Sequence, residues 1–296
     1  MLFAVKHRNQ LRVLLGSTLA TFAMLMTAPI ACAHDFWLDA EKFKMDAPGN
    51  VDVAPRVGHT GDVSEWPYER RLVANVMSIG PDGSKSQLHA SDFDDGQNTI
   101  SAQLDTEGVH ILVLNSMPSY SILPADKFND YLEEEGIRPI MIHRSAKRLY
   151  DTPGRERYAR RSKALIKVGQ ASGEQSHVTE PVGQSLEIVP LTDPYSANLG
   201  DTLPVQVLFF GEPVTGAKIH ISRFHPVHDD LEPVTTNKDG IANIMLSENG
   251  EYLLHIAWSS PLPQNADQQA DYDTLFAGLS FSWAATKTQS HNASNH

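Results

Sequence analysis

The 296-residue sequence has one cysteine, Cys32. A single thiol excludes an internal disulfide framework, so stability must come from an ordinary core. If Cys32 is lost with a leader, no thiolate nucleophile or thiolate metal site remains. A transition-metal site would then need His, carboxylate, Met or a terminal amine. Long apolar runs are also scarce. The first, Val13–Met26, is too short to span a bilayer comfortably, and Lys6, Arg8 and Arg12 precede it. That is the pattern of a signal peptide, and no later run could span a membrane. Basic residues are in deficit. Without residues 1–33 the chain keeps 263 residues, with 21 Lys and Arg against 36 Asp and Glu, a net charge of −15. This excess of acid argues against nucleic acid and anionic membrane surfaces as partners and suits a cation. The motifs G-x-S-x-G and H-E-x-x-H and a Gly-rich phosphate loop are absent. The chain therefore reads as non-enzymatic.

What is present concentrates at Ala31-Cys32-Ala33-His34-Asp35-Phe36-Trp37-Leu38. Ala31 and Ala33 form an A-x-A site, which predicts cleavage after Ala33 and a soluble periplasmic product. The mature chain would begin at His34, offering an imidazole and an amine of ordinary pKa about 7.7–8.0. Together these two nitrogens can chelate a transition metal. A lipoprotein acylated at Cys32 is the alternative, and it would leave His34 internal. Pro29 stands where such signals usually carry Leu, which favours cleavage at Ala33.

Beyond the leader, short apolar runs alternate with turn clusters. Val51–Val57, Arg71–Ile79, Thr99–Leu104 and Val109–Leu114 read as strands. Leu186–Leu191, Leu203–Phe210, Ala217–Phe224, Ile241–Leu246 and Tyr252–Trp258 read likewise. Between the two groups, Pro124–Gly136 reads as a helix, with Phe128 and Leu132 one turn apart and Gly136 as a stop. Two further helical pieces are predicted at Ile140–Leu149 and Arg155–Ile166. They carry Arg144, Lys147, Arg148, Arg155, Arg157, Arg160, Arg161, Lys163 and, just beyond, Lys167. Such a run suits a solvated helical face or a docking patch for an acidic partner. Residues 106–116 faintly echo 248–258, each following a segment with Asp-Gly. The predicted fold is mainly β, with two immunoglobulin-like β-sandwich modules and a helical segment between them. The expected division is signal peptide 1–33, N-terminal sandwich 34–122, helical segment 123–183 packed on the first module, C-terminal sandwich 184–283 and disordered tail 284–296. Phe36, Trp37, Trp66, Leu112, Val207, Tyr252, Leu254 and Trp258 are the expected core.

Several landmarks recur in order. They are Ala33-His34-Asp35-Phe36-Trp37-Leu38, Pro55-Arg56-Val57-Gly58-His59, Leu123–Leu132 with Glu135-Gly136, Pro153-Gly154-Arg155-Glu156-Arg157-Tyr158, and Pro190-Leu191-Thr192-Asp193-Pro194-Tyr195. In these the chain resembles an exported bacterial domain-of-unknown-function family related to the periplasmic component of nickel/cobalt uptake systems. The resemblance implies a periplasmic β-sandwich protein linked to uptake of a divalent transition metal, nickel or cobalt. It implies no enzyme activity.

His34, His59 and His255 are the candidate metal ligands. His59 sits in the Gly-flanked turn Val57-Gly58-His59-Thr60-Gly61, where a side chain can reach a site without core constraints. His255 lies on a late strand, and His110 on the strand that echoes it. His225 and His228 have the most metal-like spacing, H-x-x-H beside acids, but Pro226 breaks any helix that would aim both rings together. The leading function is a metal-binding or delivery accessory serving an envelope metal transporter or receptor. An all-β envelope interaction module using the basic segment is the alternative, and a copper or redox protein is a third reading.

Overall fold

β1 (Asp35–Ala40) opens the described chain and buries Phe36, Trp37 and Leu38. The computed structural model describes residues 35–284, less 60–61, 67–68, 89–92, 95–97, 171–174, 197–199 and 226–227, with backbone alone at 59 and 93–94. After β1 come β2 (Lys44–Met45), β3 (Gly49–His59), β4 (Asp62–Glu65) and β5 (Val73–Ile79). β6 (Lys85–Gln87), β7 (Phe93–Asp94), β8 (Thr99–Leu104), β9 (Gly108–Ser116) and β10 (Ser119–Leu123) follow. Two helices, α1 (Ala125–Glu134) and α2 (Arg138–Lys147), precede the long β11 (Gly154–Val168). The remaining strands begin with β12 (Leu186–Pro190), β13 (Thr202–Phe209), β14 (Glu212–Pro213) and β15 (Lys218–His225). They end with β16 (Asp229–Thr235), β17 (Ile241–Met245), β18 (Gly250–Pro261) and β19 (Tyr272–Trp283). The fold is mainly β.

A ten-stranded sheet forms the middle layer, in the order β16-β15-β18-β19-β11-β9-β5-β6, with β2 and β10 also paired to β11. β11 and β19 pair in parallel from Glu156↔Tyr272 to Ala164↔Ser280. The neighbours on either side of this seam, β9 and β18, pair antiparallel to it and are the two strands that echo each other in sequence. Residues from 34–122, 123–183 and 184–283 thus share one sheet, and all described residues lie in one compact unit.

Strand alternation sends successive side chains of β18 to opposite faces. Tyr252, Leu254 and Ile256 pack with Val205, Val207 and Ile244 of the four-stranded sheet β12-β13-β14 with β17. Leu253 packs on the other face with Phe36, Trp37, Val53 and Ile100 of the five-stranded sheet formed by β1, β3, β4, β7 and β8. Of the expected core, seven residues are buried; Trp258 is half-buried at the margin of its cluster.

Three sequence expectations need correcting. Arg155–Ile166 is not a helix but lies within β11, because its basic residues find partners at strand spacing. Arg155 makes a two-pronged pair with Asp271, Arg157 pairs with Asp273 across the seam, and Lys163 reaches Glu187. The helical segment also packs elsewhere than on the first module. Phe128, Tyr131, Leu132, Ile137 and Ile140 bury themselves against Ala257 and Tyr272 of β18 and β19. Gly154 allows this approach, since a Cβ there would stand 2.1 Å from the Phe128 ring. The second expected helix, Ile140–Leu149, corresponds to α2, but its Arg144 is buried rather than solvated. Its guanidinium donates to Asn129 Oδ1 at 3.0 Å and to the Thr152 carbonyl at 2.6 Å, and lies over Phe128. The expected tail lies, but for Ala284, outside the described residues.

The seam also buries Glu156, which accepts hydrogen bonds from Thr274 at 2.6 Å and Ser121 at 3.2 Å. Burial pushes its carboxyl up to about 7. A raised carboxyl pKa favours folding below the unfolded value and loses that contribution as pH climbs through the folded one. Glu156→Gln should therefore stabilise the protein at pH 8 by up to about 3 kcal/mol and leave it unchanged near pH 4. Thermal melts at both pH values check this.

Candidate metal centre

β1 lies over β19 and β11 and carries Asp35 and Asp39 on the same face, four residues apart, roughly 13 Å at strand rise. Each meets a histidine. At the first end, Asp35 Oδ1 lies 3.0 Å from Nδ1 of His255, and both side chains are nearly enclosed. A carboxylate can only accept, so Nδ1 carries the proton. In the neutral ring the lone pair then sits on Nε2, the arrangement by which a carboxylate orients a metal-binding imidazole. His220 is the register partner of His255, and the two rings stack with centroids 4.9 Å apart and planes 18° from parallel. Glu135, just past the end of α1, is buried, and its Oε2 lies 3.5 Å from His220 Nε2. No aligned hydrogen bond satisfies that nitrogen.

The electrostatics separate these groups. Burial alone would lower the pKa of His255, but the charge and hydrogen bond of Asp35, with Glu135 behind them, leave it raised. Burial and the neighbouring His255 charge hold His220 down to about 4. Burial pushes Glu135 up to about 7. Near neutral pH the cluster thus presents a neutral His220 with an unbonded ring nitrogen beside a carboxyl close to its titration point. Asp230 and Ser222 complete the small cleft around it, about 210 Å³ in volume.

The second end is more open. One ligating atom each of Asp39, His225 and Glu251 lies within 4.8 Å of the others. They stand in a cleft of 540 Å³ with Glu41, Asp52 and Arg56. Burial raises the carboxyl pKa of Asp39 and of Glu251. Trp37, Phe224 and Leu253 fill the space between the two ends in one apolar cluster, the first two rings 6.0 Å apart.

Of the sequence-predicted ligands, His255 lies in the first cluster. His34 is outside the described residues, and of His59 only the backbone is described, as the last residue of β3. Gly58, immediately before it, is the register partner of Asp35. His110 is separate, bonded through Nε2 to the Thr106 carbonyl at 2.8 Å. Asp35, His220, Glu135, Asp39 and Glu251 are not singled out by sequence reasoning. Of these, Asp35 had a signal in standing next to His34; the other pairings depend on long-range register. His225 is flagged by its H-x-x-H spacing, and a strand end rather than a helix presents it.

No helix among the described residues is long and apolar enough to cross a membrane. No curated protein matches the chain. Among solved structures it is similar to the BSP domain of a biofilm-associated protein, at 10% identity over 84% of this chain and 30% of that one, with a TM-score of 0.19. It is also similar to three N-terminal domains of the highly immunogenic outer capsid protein of bacteriophage RB49, at 11% identity over 83% and 59% of the two chains, with a TM-score of 0.18. The chain spans less than two thirds of either of these, and likenesses this loose carry nothing further. A family model does match: from residue 31 to residue 260 the chain fits the domain of unknown function DUF4198, and it belongs to that family.

Proposed function

We propose that the protein is a non-enzymatic periplasmic accessory that binds a divalent transition metal, nickel or cobalt, and hands it to an envelope uptake component. Processing after Ala33 would leave His34 at the terminus of two fused immunoglobulin-like sandwiches. The observation that carries this reading is the Asp35–His255–His220 cluster. It supplies one imidazole oriented by a carboxylate and one neutral imidazole with a buried, unbonded nitrogen. These donors fit a borderline cation better than a hard one. His34 precedes Asp35 in the chain, and His59 follows the residue paired with Asp35. Metal is cargo here, and protons compete for the same nitrogens, so binding should weaken as pH falls below about 6–7.

The interaction-module reading has less support. Arg155, Arg157 and Lys163 of its docking patch are engaged in ion pairs, and Arg144 is buried. To test the metal reading, the tag-free chain beginning at His34 is titrated calorimetrically with Ni²⁺ and Co²⁺. Binding tighter than about 1 μM is expected, weakened about 10–100-fold or more in His255→Ala. Equal binding by the variant would refute the site. Uptake assays are needed to name the metal, because almost any nitrogen and oxygen site favours Cu²⁺ in affinity alone.

A further inference from the structure

We propose that Asp39, His225 and Glu251 form a second cation site, separate from the histidine cluster, for an oxygen-preferring divalent cation such as Mn²⁺. The three residues come from three strands, β1, β15 and β18, so their convergence is a product of the tertiary fold. A local departure from regular pairing aims His225. The register runs Arg223↔Tyr252 and then His225↔Glu251, so one extra residue is accommodated in β15. In a regular strand Phe224 and His225 would face opposite ways. With the bulge, Phe224 still packs on Trp37 and Phe43 while His225 meets Asp39 and Glu251 on that side. Bulges of this kind re-aim side chains next to functional sites.

The donor chemistry differs from that of the first cluster. Two carboxylates and one imidazole, open to a cleft with room for water ligands, suit a cation that keeps part of its hydration shell. Donors around one such ion stand about 3–3.5 Å apart, given metal–ligand distances near 2.1 Å. The present spread, 4.8 Å at most, closes with a small turn of the exposed His225 ring. The competing explanation is a plain ion-pair cluster, with Arg56 serving Asp39. Arg56 is shared between two acids, its Nε 3.4 Å from Asp39 and its Nη1 3.1 Å from Glu65. Removing that cation should tighten metal binding, whereas an ion-pair cluster would only lose a partner.

The test uses the chain beginning at His34 and follows loss of the free-Mn²⁺ EPR signal. One Mn²⁺ per chain is expected, weakened at least about tenfold in His225→Ala and in Glu251→Gln, unchanged in His255→Ala, and tightened in Arg56→Gln. His225 is exposed and Glu251 half-buried, and far-UV circular dichroism verifies that both variants fold. Absence of Mn²⁺ binding, unchanged binding in both cleft variants, or weaker binding in Arg56→Gln would overturn the site. Ni²⁺ binding that depends on His255, without Mn²⁺ binding, would overturn this proposal alone. Mn²⁺ binding in the cleft without Ni²⁺ at His255 would overturn only the function proposed above.

Discussion

Lys163→Met should destabilise the protein by about 3–5 kcal/mol, the largest effect expected of a single substitution here. Lys163 on β11 and Glu187 on β12 join the ten-stranded and four-stranded sheets, with Nζ 2.6 Å from Oε1 and side chains only 3% and 1% exposed. Burial lowers the Lys163 pKa and Glu187 opposes that shift. Methionine keeps most of the volume, so the loss is electrostatic rather than a cavity. Glu187 would be left in the interior, still accepting from the backbone N–H groups of Val182, Gly183 and Gln184 but without its cation. Adding Glu187→Gln removes the stranded charge but sets an NH2 group against backbone N–H donors at one of the two oxygen positions, so it should recover at most part of the loss. Urea unfolding of the two single variants and the double variant measures this coupling. A loss below about 1 kcal/mol in Lys163→Met would place the pair among weak surface bridges instead.

Gly278→Ala should cost about 1–3 kcal/mol and loosen the metal cluster at the same time. Gly278 is the register partner of His255, and a Cβ there would stand 2.5 Å from the Phe36 carbonyl oxygen. That oxygen belongs to the backbone of β1, so no side-chain rotation relieves the clash. β1 must lift, although Ser280 Oγ holds the Leu38 carbonyl at 2.6 Å and Phe36, Trp37 and Leu38 are buried. Asp35 would move with it, away from His255. Unfolding in urea and Ni²⁺ affinity should fall together. Reduced stability with unchanged Ni²⁺ affinity would show that the position of β1 does not matter to binding.

The strands were the most legible part of the sequence. Val109–Leu114, Leu203–Phe210 and Tyr252–Trp258 carry strand grammar in their own residues, and each falls in β9, β13 or β18 apart from a terminal residue. Pro124–Gly136 likewise announces α1, and Gly136 stops it at φ +68°. Arg155–Ile166 misleads because Arg, Glu, Ala and Lys are good helix formers, and propensity there outweighs a weak alternation. Arg155-x-Arg157 and Arg161-x-Lys163 do repeat at strand spacing, but their meaning depends on Asp271, Asp273 and Glu187, distant in sequence. The parallel seam between β11 and β19 is hidden for the same reason. In the candidate site, His255 was visible as a histidine on a strand. His220 was not, because only the register of β15 against β18 brings the rings together.

The function proposed here rests on metal held at the start of β1, with a free amine at residue 34. The most direct measurement compares two tag-free chains by Ni²⁺ calorimetry, one beginning at His34 and one carrying a single additional alanine before it. The extension keeps every imidazole and moves only the amine. At least about tenfold weaker binding by the extended chain is expected, because an amine ligand is lost. Equal affinity in the two chains would contradict the N-terminal chelate, and a lipidated Cys32 in the exported protein would remove the free amine altogether.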